Sequence, residues 1–211
     1  EGAEVTLGFS ITGLIDRDQV LHKATLVEGD ALILTKPVGT GTVMAADMRG
    51  KASGIWVEAA YESMLLSNQQ AGEILRSHGA SACTDITGFG LAGHLLEMLG
   101  TSNLSASLDL SKLPILTGAV QTLEAGITSS LQDKNERLSR RVADAASWQT
   151  DARFPLLFDP QTAGGLLAGL PAMKAQVCVD TLRENGYPEA TVIGRINRAD
   201  NPEKTISIFS S

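Results

Sequence analysis

The sequence is poor in the residues that mark several function classes. It has 2 cysteines and 3 histidines in 211 residues. Cys83 and Cys178 lie far apart and form neither a CxxC pair nor a disulfide framework. Two readings of them stand: reduced, buried thiols of a cytoplasmic protein, or a catalytic cysteine paired with a histidine, which the spacing does not ask for. His22, His78 and His94 offer no zinc spacing and no Ser-His-Asp arrangement. No apolar run approaches the roughly 20 residues that cross a bilayer, so no membrane association is expected. Lys and Arg number 17 against 24 Asp and Glu, a net charge of −7, which argues against a general nucleic-acid binder. An anionic ligand stays open, because a metal ion reconciles carboxylates with phosphate. A Walker A loop is missing: before Gly50-Lys51 the required upstream glycine is Ala45, and Ala52 follows the lysine. Internal repeats and low-complexity tracts are also absent.

What is present describes a globular α+β protein. Hydrophobic residues make up 43% and charged residues 19%. A chain of this length buries roughly 70% of its unfolded surface and needs no staples. It opens on Glu1-Gly2-Ala3-Glu4 without an initiator methionine, and Leu7, Phe9 and Ile11 soon alternate with small polar residues. We expect a strand over 5–14, a polar connection over 15–29 and a piece of a longer protein. Ala31–Thr35 reads as a buried strand, and a short helix follows near 42–48. Apolar residues at helical spacing from Val57 to Leu75 predict one helix over 55–78. Asn68 falls on its apolar stripe, either as a satisfied structural amide or pointing into a site. Further strands are expected at 81–86, 104–110, 154–158 and 166–168, and further helices over 90–99, 115–125, 133–147 and 171–186. Strands at 191–196 and 205–209 read as a terminal hairpin. This mixture predicts an α+β fold, a mixed β-sheet flanked by helices, rather than a doubly wound sheet.

The densest motif is Ala82-Cys83-Thr84-Asp85-Ile86-Thr87-Gly88-Phe89-Gly90-Leu91-Ala92-Gly93-His94. Gly88, Gly90 and Gly93 give G-x-G-x-x-G between a strand and a helix, and Asp109 follows at the end of the next strand. That is the outline of an NAD-binding module. However, a pyrophosphate there would meet the charge of Asp85, and the further βαβ units are missing. Asp85 suits a cation better: a strand-end carboxylate beside glycine-freed amides can hold Mg²⁺ while the amides face phosphate oxygens. The plain alternative is a helix-capping Asp. His94 and Glu97, at i and i+3, read as a surface pair.

These stretches resemble the selenophosphate synthetase (selenide, water dikinase) family, within the superfamily of aminoimidazole ribonucleotide synthetase. The resemblance runs in order through Glu1–Glu4, Leu34–Gly41, Met64–Asn68, Ala82–His94 and Phe158–Leu167, spanning nearly the whole chain. It implies a synthetase-type C-terminal domain, partly ferredoxin-like, over 29–211. Residues 1–28 would be the last strand of an N-terminal ATP-binding domain plus a linker. It implies conversion of selenide, ATP and water to selenophosphate, AMP and phosphate with Mg²⁺, in a cytoplasmic homodimer. Asp85 would be a metal ligand, with Thr87, Gly88 and Gly90 shaping its loop. Thr40, Asn68, Gln161, Thr162, Gly164 and Gly165 are cleft-lining candidates. The family's reactive Cys or selenocysteine and its essential Lys lie upstream of the matched stretches, so Cys83 is not that nucleophile and the chain alone is expected to be inactive. Other branches of the superfamily, in hydrogenase maturation or as thiamine-phosphate kinases, are the nearest rivals.

Overall fold

The structure, a computed structural model, describes residues 8–100 and 102–211. Residues 1–7, with the first half of the expected strand at 5–14, lie outside the described residues. Residues 8–16 carry no strand: Phe9, Ile11 and Leu14 are exposed, and no strand among the described residues lies beside them to pair the alternation. A short 3₁₀ turn at Arg17–Gln19 follows. Residues 20–28 lie against the domain, with Leu26 in its core and the His22 carbonyl accepting from the Cys83 amide at 3.0 Å.

Among the described residues six strands form one mixed sheet: β1 (Asp30–Leu34), β2 (Ala82–Asp85), β3 (Leu104–Asp109), β4 (Leu166–Pro171), β5 (Thr191–Arg198) and β6 (Ile206–Phe209), in the order β2-β4-β1-β5-β3-β6. All pairings are antiparallel except β3 with β6. β1 is buried along its whole length, as its unbroken apolar run requires of a strand covered on both faces. Leu32 and Leu34 point into the larger core beneath α1 (Thr40–Met48), α2 (Gly54–Leu65), α4 (Gly90–Leu99) and α5 (Ala119–Glu124). Ala31 and Ile33 point to the opposite face, under α3 (Gln69–Ser77) and α8 (Ala172–Glu184). The remaining short helices are α6 (Gln132–Glu136) and α7 (Ala145–Trp148). Among the described residues no helix is long and apolar enough to cross a membrane.

Several local expectations fail for identifiable reasons. The helix over 55–78 is two helices, broken at Leu66-Ser67-Asn68. No Gly or Pro marks the break, because side chains from elsewhere stabilise it. Lys36 Nζ donates to the Ser63 and Leu66 carbonyls, each at 3.0 Å. Tyr187 Oη donates to the Ser67 carbonyl at 2.6 Å and accepts from the Ala71 amide at 3.1 Å. The apolar run 154–158 is a 3₁₀ turn under α4, not a strand; Pro155 has no amide for a ladder. The helix over 133–147 divides into α6, a 3₁₀ stretch and α7, because Val142 leaves it to bridge Ile206. β5 and β6 do not form a hairpin. β5 is flanked by β1 and β3, so β6 pairs on the outer side of β3.

Tyr187→Phe is expected to destabilise the chain by about 1–3 kcal/mol, since it strips two partners from the α2–α3 break. Urea denaturation monitored by circular dichroism measures it, and an unchanged midpoint would contradict this account.

Candidate functional site

β1 and β2 run parallel to one another on either side of β4, so their carboxyl ends share one edge of the sheet. The segment leading into β4 arrives at that same edge. Asp85, the last residue of β2, is exposed, and its carboxylate accepts no hydrogen bond among the described residues. It borders an open depression shared with His22, Lys23, Cys83 and Thr84. Cys83 sits beneath it. Burial, and secondarily the Asp85 charge, push the Cys83 thiol up to about 12; burial alone lifts Cys178 to about 11. Neither sulfur is a thiolate at neutral pH, so neither is a ready nucleophile.

The turn after Asp85 is tightly specified. The Gly90 amide donates to the Thr87 carbonyl at 3.0 Å, and so does the Gln161 amide. Asn135 Nδ2 reaches the Gly88 carbonyl at 2.9 Å and the Phe158 carbonyl at 3.0 Å. Gly90 has φ +69°, and a Cβ there would stand 2.8 Å from the Phe158 backbone, so only glycine fits. Gly88 differs: a Cβ there would meet nothing within 4 Å, which leaves the approach to the turn open. His94 is not the surface residue expected from its spacing. It is buried, and Nε2 accepts from the Thr87 amide at 3.1 Å, while Nδ1 lies 3.3 Å from Glu97.

The cleft-lining candidates divide. Thr40, Gln161, Gly164 and Gly165 are buried: Thr40 and Gly164 lie against Gln161, and Gly165 packs on Lys36 and Thr35. Gln161 Oε1 accepts from the Gly39 amide at 3.0 Å, the Thr40 amide at 3.1 Å and Thr40 Oγ1 at 3.0 Å. Thr40 Oγ1 in turn accepts from the Thr162 amide at 2.9 Å. Thr162 itself is exposed. Asn68 sits at the α2–α3 break rather than on a helical stripe. Its Nδ2 donates to the Gly164 carbonyl at 2.9 Å, while its buried Oδ1 finds no partner among the described residues. Lys36 Nζ also donates to the Ala163 carbonyl, at 2.7 Å. Burial lowers the Lys36 pKa.

Sequence reasoning missed Lys36, Asn135 and Asp159. Asp159 is fully buried at the start of α1, bonded to Thr42 Oγ1 and Gln161 Nε2, each at 2.8 Å. Burial outweighs these bonds and pushes its carboxyl up to about 6. The Asp-Pro-Gln-Thr-Ala-Gly-Gly run was the available signal, but nothing in it tells a buried carboxylate from an exposed one.

The dinucleotide outline is not realised. β2, which precedes the glycines, and β3, which ends in Asp109, are separated by β4, β1 and β5, whereas that fold makes them neighbours. Asp109 is buried and serves its own end of the sheet. Burial alone would raise its pKa, but hydrogen bonds from Ser111 and Ser211 prevail and hold it at about 2.

Magnesium takes oxygen ligands and keeps several sites for water or phosphate. The unpartnered carboxylate of Asp85 fits one such ligand. Among the described residues no group of three or more His, Cys, Asp or Glu is assembled.

The family model for AIR synthase related proteins, C-terminal domain, matches residues 27–206. The chain is 35% identical over 196 residues to a selenide, water dikinase of Pelobacter propionicus, covering 93% of the chain and 56% of the relative. It is 37% identical over 203 residues to that of Trichlorobacter lovleyi, covering 96% and 58%. The chain thus spans little more than half the length of the curated relatives it matches. Among solved structures, the hydrogenase maturation protein HypE in complex with ATP superposes with a TM-score of 0.67 at 18% identity, covering 93% of this chain and 52% of that one. Thiamine-monophosphate kinase from Stenotrophomonas maltophilia gives 0.61 at 19%, covering 93% and 55%. At these identities the likeness is one of fold.

Asp159 generates a pH prediction. Its pKa is 3.8 when exposed and about 6 in the fold, so the folded state binds the proton more tightly. The associated stability is present below pH 3.8 and is lost as pH rises through 6, by roughly 3 kcal/mol. Asp159→Asn is expected to remove that slope. Denaturant midpoints of both proteins between pH 4 and 8 check it, and parallel curves would refute the assignment.

Proposed function

The chain belongs to the AIR synthase related family, as its C-terminal domain, and from that membership we propose that it is the C-terminal portion of an enzyme making selenophosphate. The substrates are selenide, ATP and water; the other products are AMP and phosphate. The selenide, water dikinases it resembles at 35% and 37% identity support the substrate class. ATP use is also supported by the ATP complex of HypE, although that relative shares only the fold.

The observation that carries the site is Asp85: an exposed, unpartnered carboxylate at a strand end, beside a turn left open at Gly88. In the proposed reaction both phosphoanhydride bonds of ATP are consumed, so neutralising the triphosphate is the central demand. Bound Mg²⁺ supplies that neutralisation. Asp85 contributes one oxygen ligand, and the Thr87–Gly90 turn holds Asp85 and the approach beside it in place. Thr162 and Ala163 are the exposed members of the neighbouring loop, while Gln161 and Thr40 fix that loop from inside. The other metal donors, the reactive Cys or selenocysteine and the essential Lys belong to an N-terminal domain. Residues 1–28 join it to the domain from 29 onward, in a cytoplasmic homodimer.

Two outcomes follow. In the complete protein, Asp85→Asn raises the Mg²⁺ concentration needed for turnover by at least about tenfold and leaves the fold intact, since the side chain makes no internal bond. Mg²⁺ titration of activity with circular dichroism reads both, and unchanged turnover at limiting Mg²⁺ counts against the ligand role. The 211-residue chain alone forms no AMP from ATP in a selenide-dependent manner. Selenide-dependent AMP formation by it, measured by chromatography, would refute the division of labour.

A further inference from the structure

His94 lies behind the Thr87–Gly90 turn with only 7% of its side chain exposed. Nε2 takes the Thr87 amide at 3.1 Å and stands 3.0 Å from Thr87 Oγ1. A ring nitrogen that accepts an amide N–H carries no proton, so the neutral imidazole is protonated on Nδ1. Nδ1 faces Glu97 Oε2 at 3.3 Å, and the same oxygen lies 3.3 Å from Lys23 Nζ. The Nδ1–Glu97 contact falls outside hydrogen-bond geometry, so Glu97 favours the Nδ1–H form through its charge rather than through a formed bond. The Phe89 ring, 5.7 Å away centre to centre, tilts against the imidazole.

Resting on the function proposed above, we infer that His94 is a positioning residue for the metal-bound phosphate site. In its Nδ1–H tautomer it clamps Thr87 and thereby fixes the turn that begins two residues after Asp85. It touches neither substrate nor metal. Its effect passes through one acceptor nitrogen to the first residue of the turn. The turn retains three other ties, from Gly90 and Gln161 to the Thr87 carbonyl and from Asn135 to the Gly88 carbonyl. Loss of the clamp therefore loosens the turn without unfolding the domain. Indirect supports of metal ligands typically contribute 10–100-fold to metal affinity or activity.

The experiment has two arms. Long-range ¹H–¹⁵N correlation spectra of the histidine-labelled chain at neutral pH are expected to show His94 neutral and protonated on Nδ1. A proton on Nε2, or an imidazolium, would overturn the clamp. In the complete protein, His94→Leu is expected to raise the Mg²⁺ concentration for half-maximal turnover by about tenfold or more, with kcat at saturating Mg²⁺ changed much less. His94→Gln presents a carboxamide oxygen near the position of Nε2 and is expected to recover most of the loss. Equal defects in both variants, or an unchanged Mg²⁺ requirement, would overturn the positioning role. A wild-type protein with no selenide-dependent turnover would refute the function proposed above by itself. His94 is then judged by the ring tautomer and by Thr87 amide exchange. Protection lost in His94→Leu and restored in His94→Gln upholds the clamp, and protection unchanged in His94→Leu overturns it.

Discussion

The side chain of Gln161 is the interaction on which the upper edge of the sheet depends. Its oxygen accepts from three donors at the start of α1, and its nitrogen donates twice to Asp159, to the carbonyl and to Oδ2, at 2.8 Å each. One carboxamide thus joins the segment entering β4 to the segment leaving β1. The backbones come so close that a Cβ on Gly41 would stand 2.1 Å from the Pro160 carbonyl oxygen. Such contact excludes any side chain, and it also explains why the polar groups here need internal partners: no water can reach them.

The same segment carries the order outward. The Gln161 amide and the Gly165 carbonyl pair with Thr87 and Ile86, so the loop entering β4 and the turn leaving β2 form one braced unit. Lys36 ties that unit to the α2–α3 break through three carbonyls. Buried charge is held here by partners that leave it no freedom to react. Lys36 has every proton committed, and the Asp159 carboxylate is bonded on both oxygens. Asp85, a few residues along the same brace, is free of such partners. What separates Asp85 from Lys36 and Asp159 is accessibility, not residue type.

The legible parts of the fold were those with local causes. β1 announced itself because four consecutive apolar residues can only be buried on both faces, and α4 because glycines and a strand end precede an amphipathic run. The α2–α3 break was illegible because its stabilising groups, Lys36 and Tyr187, come from distant positions. The β5–β6 hairpin was misread because adjacency in sequence favours it, while the sheet had already used both edges of β5. Within the site, Asp85 stood out by its place before the glycines. Thr40 and Gln161 drew attention through the same motifs yet turn inward, and His94 was passed over because i,i+3 spacing to Glu97 suits a solvent-facing pair as well as a buried ring.

The class of the fold and the chemistry available follow from the residues in order: a mixed α+β sheet, few thiols and histidines, and one carboxylate set before a glycine turn. Periodicity and local backbone preference suffice for that, since they act within a few residues. Contacts across the fold set which polar residues are consumed in the interior, put Asp109 four strands away from β2 and close His94 on Thr87. Those outcomes rest on strand order and on burial, which arise from contacts between segments that are far apart in the chain.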